Sequence, residues 1–177
     1  MSPEMIDLNS LKSPLFVGLS SDQQRALLQH FEIKTYEEGD VIIKEGEVTP
    51  VLGVILSGTA RVTKDLLQQS RNLSALGPGA VFGEMSFFQG LPHSATVIAE
   101  EKFETLEITK AKFQSMSDSP CGVSCQLSIN LLNIVSDRLR HMDQWVCELL
   151  SEFEANSKRH QEWIQFRNQL YTNWNFA

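Results

Sequence analysis

A chain of 177 residues, 42% of them hydrophobic, is long enough to bury the core of one domain with a helical extension and short for two full domains. Its 22 acidic against 15 basic residues leave a net charge of −7, which argues against broad binding to nucleic acid, where a basic face supplies most of the affinity. No apolar run approaches the length of a membrane span, and residues 1–13 lack the basic-then-apolar layout of a signal peptide. The expectation is a cytoplasmic protein with no nucleic-acid and no membrane partner.

In chain order, residues 1–13 read as a lead-in. Ser20, Ser21 and Asp22 stand ahead of helix formers, an N-cap signal that predicts a short helix over about 21–30. From Phe31 the texture turns to β. Residues 31–36 alternate, Glu38-Gly39-Asp40 is a turn, Val41-Ile42-Ile43-Lys44 is a strand and Glu45-Gly46-Glu47 turns again. Residues 51–56 form a further strand ending at Ser57-Gly58, and 59–63 continue after it. Short strands punctuated by glycine at regular spacing predict an all-β sandwich or barrel. Residues 66–72 are polar and predict a loop.

The next stretch, residues 78–99, reads PGAVFGEMSFFQGLPHSATVIA. Gly77 and Gly79 flank Pro78 as a turn, Val81-Phe82 leads into Gly83-Glu84, and an apolar run ends at Gly90-Leu91-Pro92. Residues 96–99 are β-branched and predict a strand. Main-chain N–H groups turning to one point beside a carboxylate suit an anionic ligand carrying hydroxyls. Glu84 then either accepts from such a hydroxyl or is satisfied by amides of its own loop.

Residues 103–108 predict a strand, and Thr109-Lys110-Ala111-Lys112-Phe113 starts a helix. Asp118-Ser119-Pro120 breaks the chain. Beyond Gly122 the period is helical, with Leu127, Leu131, Val135, Leu139, Met142, Val146, Leu149 and Phe153 at intervals of three or four, heptad-like from Val135. Such a stripe is buried either on its own barrel or against a second copy of the chain. The aromatics Trp163, Phe166, Tyr171, Trp174 and Phe176 belong either to a second helix packed on the first or to a surface that docks a protein partner. The domain division expected is 14–120 for a β-roll and 121–177 for a C-terminal helical extension.

Catalytic and metal chemistry find little support. Cys121, Cys125 and Cys147 are an odd count that reads as reduced thiols, with burial as small hydrophobes expected and no second pair to complete a zinc site. His30, His93, His141 and His160 are scattered, and no Ser-His-Asp arrangement is present, so neither an enzyme nor a metal or cofactor is expected.

The 78–99 stretch resembles the phosphate-binding cassette of the cyclic nucleotide-binding domain family, shared by bacterial cAMP receptor proteins and protein kinase A regulatory subunits. That pattern runs Phe-Gly-Glu, several residues of apolar bias, then Pro-Arg-(Ala/Ser)-Ala-Thr-Val. Phe82-Gly83-Glu84 and Pro92-His93-Ser94-Ala95-Thr96-Val97 stand at the matching spacing, and the turns at Gly39 and Gly58 fall where the family has strand-turn glycines. The resemblance spans roughly residues 14–142. It implies a mainly β fold with flanking helices, a double-stranded β-helix or jelly-roll barrel with an N-terminal helix and a long C-terminal helix.

For function it implies a regulatory sensor that couples an anionic ligand, cAMP or cGMP, to its C-terminal helix and to a dimer or partner. Glu84 would accept from the ribose 2′-hydroxyl. The backbone after Phe82, around Gly83, Met85 and Ser86, would donate to the phosphate, as would Ser94 ahead of Ala95. Met142 of the long helix would lie near the base, although no hydroxyl residue stands beside it. A homodimer through Val135, Leu139, Met142, Val146 and Leu149 is implied, with a possible protein partner at the C-terminal helix. The helix-turn-helix domain of cAMP receptor proteins is expected to be lacking, since residues 151–177 are too few for it.

One position departs from the pattern: the arginine is replaced by His93. Arginine is always charged and offers two parallel N–H groups to a phosphate, whereas histidine offers one and is mostly neutral at pH 7. Losing one charge-assisted bond costs roughly 1.5–3 kcal/mol. That is about 10- to 100-fold in affinity. The alternative function is therefore an interaction or scaffold protein of the same fold whose degenerate pocket no longer binds a cyclic nucleotide.

Overall fold

The computed structural model describes residues 6–8, 10–66, 69–116, 122–152 and 158–172. They fall into two compact units, the first ending at Val135 and the second starting at Ser136.

The first unit opens with a 3-10 turn, Pro14–Phe16, and a helix α1, Ser21–Leu28. The helix starts where the sequence predicts because Ser20 and Gln23 cap each other: the Ser20 hydroxyl accepts from the Gln23 N–H at 3.3 Å and Gln23 Oε1 accepts from the Ser20 N–H at 2.9 Å. Its buried residues Leu27 and Leu28 lock it to the core.

Among the described residues the strands form two antiparallel sheets of four. One has the order β1 (Glu32–Tyr36), β8 (Phe103–Thr109), β3 (Val51–Ser57), β6 (Val81–Phe82). The other has β2 (Val41–Ile43), β7 (Thr96–Ala99), β4 (Ala60–Leu66), β5 (Gln69–Leu76). First pairs with last, as in Ile33↔Leu106, and second with second-last, as in Val41↔Ile98, which is the nested wrapping of a jelly roll. The fold is the mainly β roll with flanking helices that the sequence implies.

β3 is buried on both faces, which is why it reads as an unbroken apolar run. Leu52 and Val54 face a core shared with Leu15, Leu27, Phe87, Phe113, Leu127 and Leu131. Ile55 faces an inner core with Ile43, Phe82, Val97, Ala99 and Phe103. Gly53 pairs with Phe82, and a Cβ there would lie 2.0 Å from the Phe82 ring, so the aromatic covers the backbone that glycine leaves bare.

Two expectations need correction. Residues 66–72 are not simply a loop: β4 runs to Leu66 and β5 begins at Gln69, paired as Asp65↔Ser70 and Lys64↔Arg71. β5 is exposed at every residue up to Ala75, so it shows no apolar alternation; its hydrogen bonds to β4 hold it. Cys125 is exposed on its helix rather than a small buried hydrophobe, and Cys147 is half-buried; neither is in a disulfide, and Cys121 lies outside the described residues.

A short helix α3, Lys110–Ser115, follows β8 with Thr109 as its N-cap. The long helix α4, Val123–Glu152, comes next. Its Val123, Leu127, Leu131 and Ile134 join the core of the first unit. Buried Asn130 donates to the carbonyls of Leu15 and Val17, both at 2.8 Å, tying α4 to the 3-10 turn. The first compact unit thus extends to Val135 and takes in the opening turns of α4.

In the second unit, Val135's successors on the stripe, Leu139 and Met142, are exposed, as is Trp145, whereas Val146 and Leu149 are half-buried. A further helix α5, Lys158–Thr172, brings the Trp163 and Phe166 rings together at 5.7 Å between centroids. Trp163 is half-buried and Phe166 exposed. Phe153, Trp174, Phe176 and the Tyr171 side chain lie outside what is described. Among the described residues no helix is long and apolar enough to cross a membrane, and no group of three or more His, Cys, Asp or Glu is placed to hold a metal ion.

Candidate functional site

The cassette grows from the end of β6. Gly83 has φ +79°, and a side chain there would meet the Val51 carbonyl at 2.4 Å, so both conformation and space require glycine. This left-handed residue turns the chain into a six-residue helix α2, Glu84–Gln89, which the apolar run in the sequence does not announce. Gly90, also left-handed at φ +68°, ends it. In a helix this short the N–H groups of Glu84, Met85 and Ser86 have no acceptor within the helix.

Packing fixes α2 firmly. Phe87 is fully buried, with Phe113 of α3 at 5.4 Å between ring centroids and Phe88 at 5.3 Å. Lys110 Nζ donates to the Phe88 carbonyl at 2.9 Å, near the negative end of the helix. The Ser86 hydroxyl donates to the Leu91 carbonyl and ties the loop that follows back to the helix.

That loop carries His93, which the turn after β2 holds from both sides. Its N–H donates to the Glu47 carbonyl at 2.9 Å, and its own carbonyl accepts from the Gly46 N–H at 3.0 Å. The side chain is only 7% exposed. It is hydrogen-bonded to the backbone of Thr49, and its Nε2 is buried without a partner among the described residues. Burial pushes the imidazole below its ordinary pKa of 6.5; the Thr49 bond and the Glu84 carboxylate oppose that shift without overcoming it. Near neutrality the ring is therefore uncharged.

Glu84 is 4% exposed, has interactions within the fold, and is close enough to act electrostatically on His93. Lys64 of β4 donates to the Ser94 carbonyl and sits 3.4 Å from Glu45. Glu45 in turn takes the Asp65 N–H at 3.0 Å and donates its own N–H to the Thr96 hydroxyl at 3.0 Å.

The fold thus gathers Gly83, Glu84, Met85, Ser86, His93, Ser94 and Ala95 on one helix and the loop after it. Phe82 is spent on the inner core over Gly53, and the Met85 side chain is exposed. Met142 is carried by the second unit, where it is exposed. Sequence reading misses Glu47, Thr49 and Lys64. They come from other strands and turns, and nothing in their local pattern signals the association. Chemically the arrangement offers main-chain donors, a buried carboxylate and an uncommitted imidazole nitrogen, which is the equipment for a small anion bearing hydroxyl groups.

Residues 33–119 match the family described as "Cyclic nucleotide-binding domain". The chain is 32% identical over 147 residues to a cyclic AMP receptor protein of Thermus thermophilus, covering 82% of this chain and 66% of that one. It is 30% identical over 155 residues to a cGMP-dependent protein kinase of Plasmodium berghei, covering 83% of this chain but 16% of the kinase. Among solved structures it is similar to the Thermus thermophilus catabolite activator protein, with a TM-score of 0.69 at 32% identity, over 78% of this chain and 63% of that one. Wrapping, cassette and sequence agree on a common descent, and the chain belongs to the cyclic nucleotide-binding domain family.

Proposed function

We propose that this chain is a regulatory binding module, not a catalyst, that takes a cyclic nucleotide into the β-roll and passes its presence to the C-terminal helix. The observation that carries the reading is the buried His93 Nε2 with no partner, in the same cassette as the buried carboxylate of Glu84. A desolvated polar atom is costly unless something completes it, and a ligand does so. Glu84 accepts from the ribose hydroxyl, the N–H groups of Gly83 to Ser86 and of Ser94 donate to the phosphate, and His93 faces the same phosphate.

The route outward follows packing. Phe87 of α2 contacts Phe113 of α3, and both share a core with Val123, Leu127 and Leu131 at the start of α4. A shift of α2 is felt first by that core. The exposed Leu139 and Met142, with Val135, Val146 and Leu149, continue as a heptad-like seam that supports a homodimer, and Trp163, Ile164 and Phe166 of α5 support docking of a protein partner.

Titration calorimetry with cAMP and cGMP tests the reading. We expect saturable heat with at least one, weaker by about 10- to 100-fold than an arginine-bearing cassette gives. Silence with both at millimolar concentration removes the nucleotide. A second reading, a scaffold protein of the same fold with a degenerate pocket, is favoured by one fact: burial keeps His93 neutral, leaving no fixed charge at that position. It predicts calorimetric silence together with a dimer whose sedimentation is indifferent to nucleotide.

A further inference from the structure

We infer that the cassette binds its anion together with a proton, taken up by His93, so that the site reports ligand and pH jointly. This rests on the anion-binding reading above and adds its regulation. The His93 main chain is held by bonds to Gly46 and Glu47, which fix the place from which its side chain projects. Nε2 is buried and has no partner among the described residues. A neutral imidazole carries no charge to set against an oxyanion. Adding a proton makes both ring nitrogens donors and the ring a cation, so anion and proton bind in mutual support.

The surrounding charges favour that exchange and do not obscure it. Glu84 of α2 draws the proton towards the ring. Glu47 is paired with Lys44 at 2.8 Å, and Glu45 with Lys64 at 3.4 Å, on the turn and strand that brace the loop. A phosphodiester anion keeps its charge from pH 6 to 8, whereas an imidazole ordinarily changes its charge near that range, which makes His93 the switch at this site. In the free protein burial depresses the imidazole; a bound anion raises it. Between those two values affinity rises as pH falls, by up to about tenfold per pH unit, and outside them it is flat.

The experiment is calorimetry of the full chain with cAMP and with cGMP at pH 6, 7 and 8, each in two non-phosphate buffers of different ionisation enthalpy. Expected are affinity that weakens at least tenfold from pH 6 to pH 8 and a buffer-dependent heat at pH 7 that corresponds to proton uptake. His93→Arg is expected to bind more tightly at pH 8 with neither dependence, and His93→Gln to bind weakly at every pH. Wild-type affinity that is flat with no proton uptake overturns the coupling while leaving nucleotide binding intact. A pH slope that survives in His93→Arg assigns it to another group and also overturns the coupling. No heat from wild type and His93→Arg at any pH overturns the nucleotide reading, and the coupling with it. Should either variant fail to fold, the wild-type buffer comparison decides alone.

Discussion

His93 shows how one side chain can be governed by neighbours remote in sequence. Its burial, its Thr49 contact and the Glu84 carboxylate act on the same equilibrium with opposite signs, and burial dominates. Glu84→Gln removes the nearby negative charge, one of the two influences that hold the imidazole pKa up. His93 in that variant is therefore expected to titrate at a lower pH than in the wild type, read from its ring resonances by nuclear magnetic resonance in the nucleotide-free protein. A titration that stays put or moves upward would mean that the carboxylate is not felt at the ring. Gly83 is governed differently: a left-handed backbone and the Val51 carbonyl 2.4 Å from any Cβ leave no freedom to substitute.

At the scale of elements, β3 and β6 show how a strand pair carries the site. Val81–Phe82 is a two-residue strand held beside β3, and the cassette begins at the next residue. The bare backbone of Gly53 gives the Phe82 ring its seat, and the ring aims the chain into Gly83. Gly53→Ala puts a carbon 2.0 Å from that ring. We expect a loss of roughly 1–3 kcal/mol in chemical denaturation from the overpacking. The double substitution with Phe82→Leu should recover part of it, because the smaller side chain can yield. If Gly53→Ala unfolds at the same denaturant concentration as the wild type, the seat is not tight. α2 and β5 teach the complementary lesson. One is a six-residue helix whose ends are set by left-handed glycines; the other is an exposed strand set by its neighbour's hydrogen bonds.

For the whole molecule, α4 is the element that belongs to both units. Its opening turns are core, anchored by Val123, Leu127, Leu131 and Ile134 and by the two bonds of Asn130. Farther on, Leu139 and Met142 are 56% and 54% exposed, an arrangement that suits a seam between two copies. Replacing both with glutamate is expected to give a monomer in analytical ultracentrifugation while the β-roll keeps its thermal unfolding midpoint. A dimer that persists would place the association elsewhere.

What the sequence alone determined follows from burial leaving a local signature. Strands with an apolar face, turns that need glycine and the stripe of α4 announce themselves by period, and the Phe82-Gly83-Glu84 and Pro92 to Val97 motifs mark the cassette. Tertiary structure decided the rest. An exposed strand such as β5 has no apolar period to read. The extent of the compact unit depends on which turns of α4 find a core. The charge state of His93 depends on its burial and on Thr49 and Glu84, brought to it only when β2, β3 and α2 pack. Periodicity records where a side chain must hide from water, whereas hydrogen-bond partners and desolvation are properties of the space the folded chain encloses.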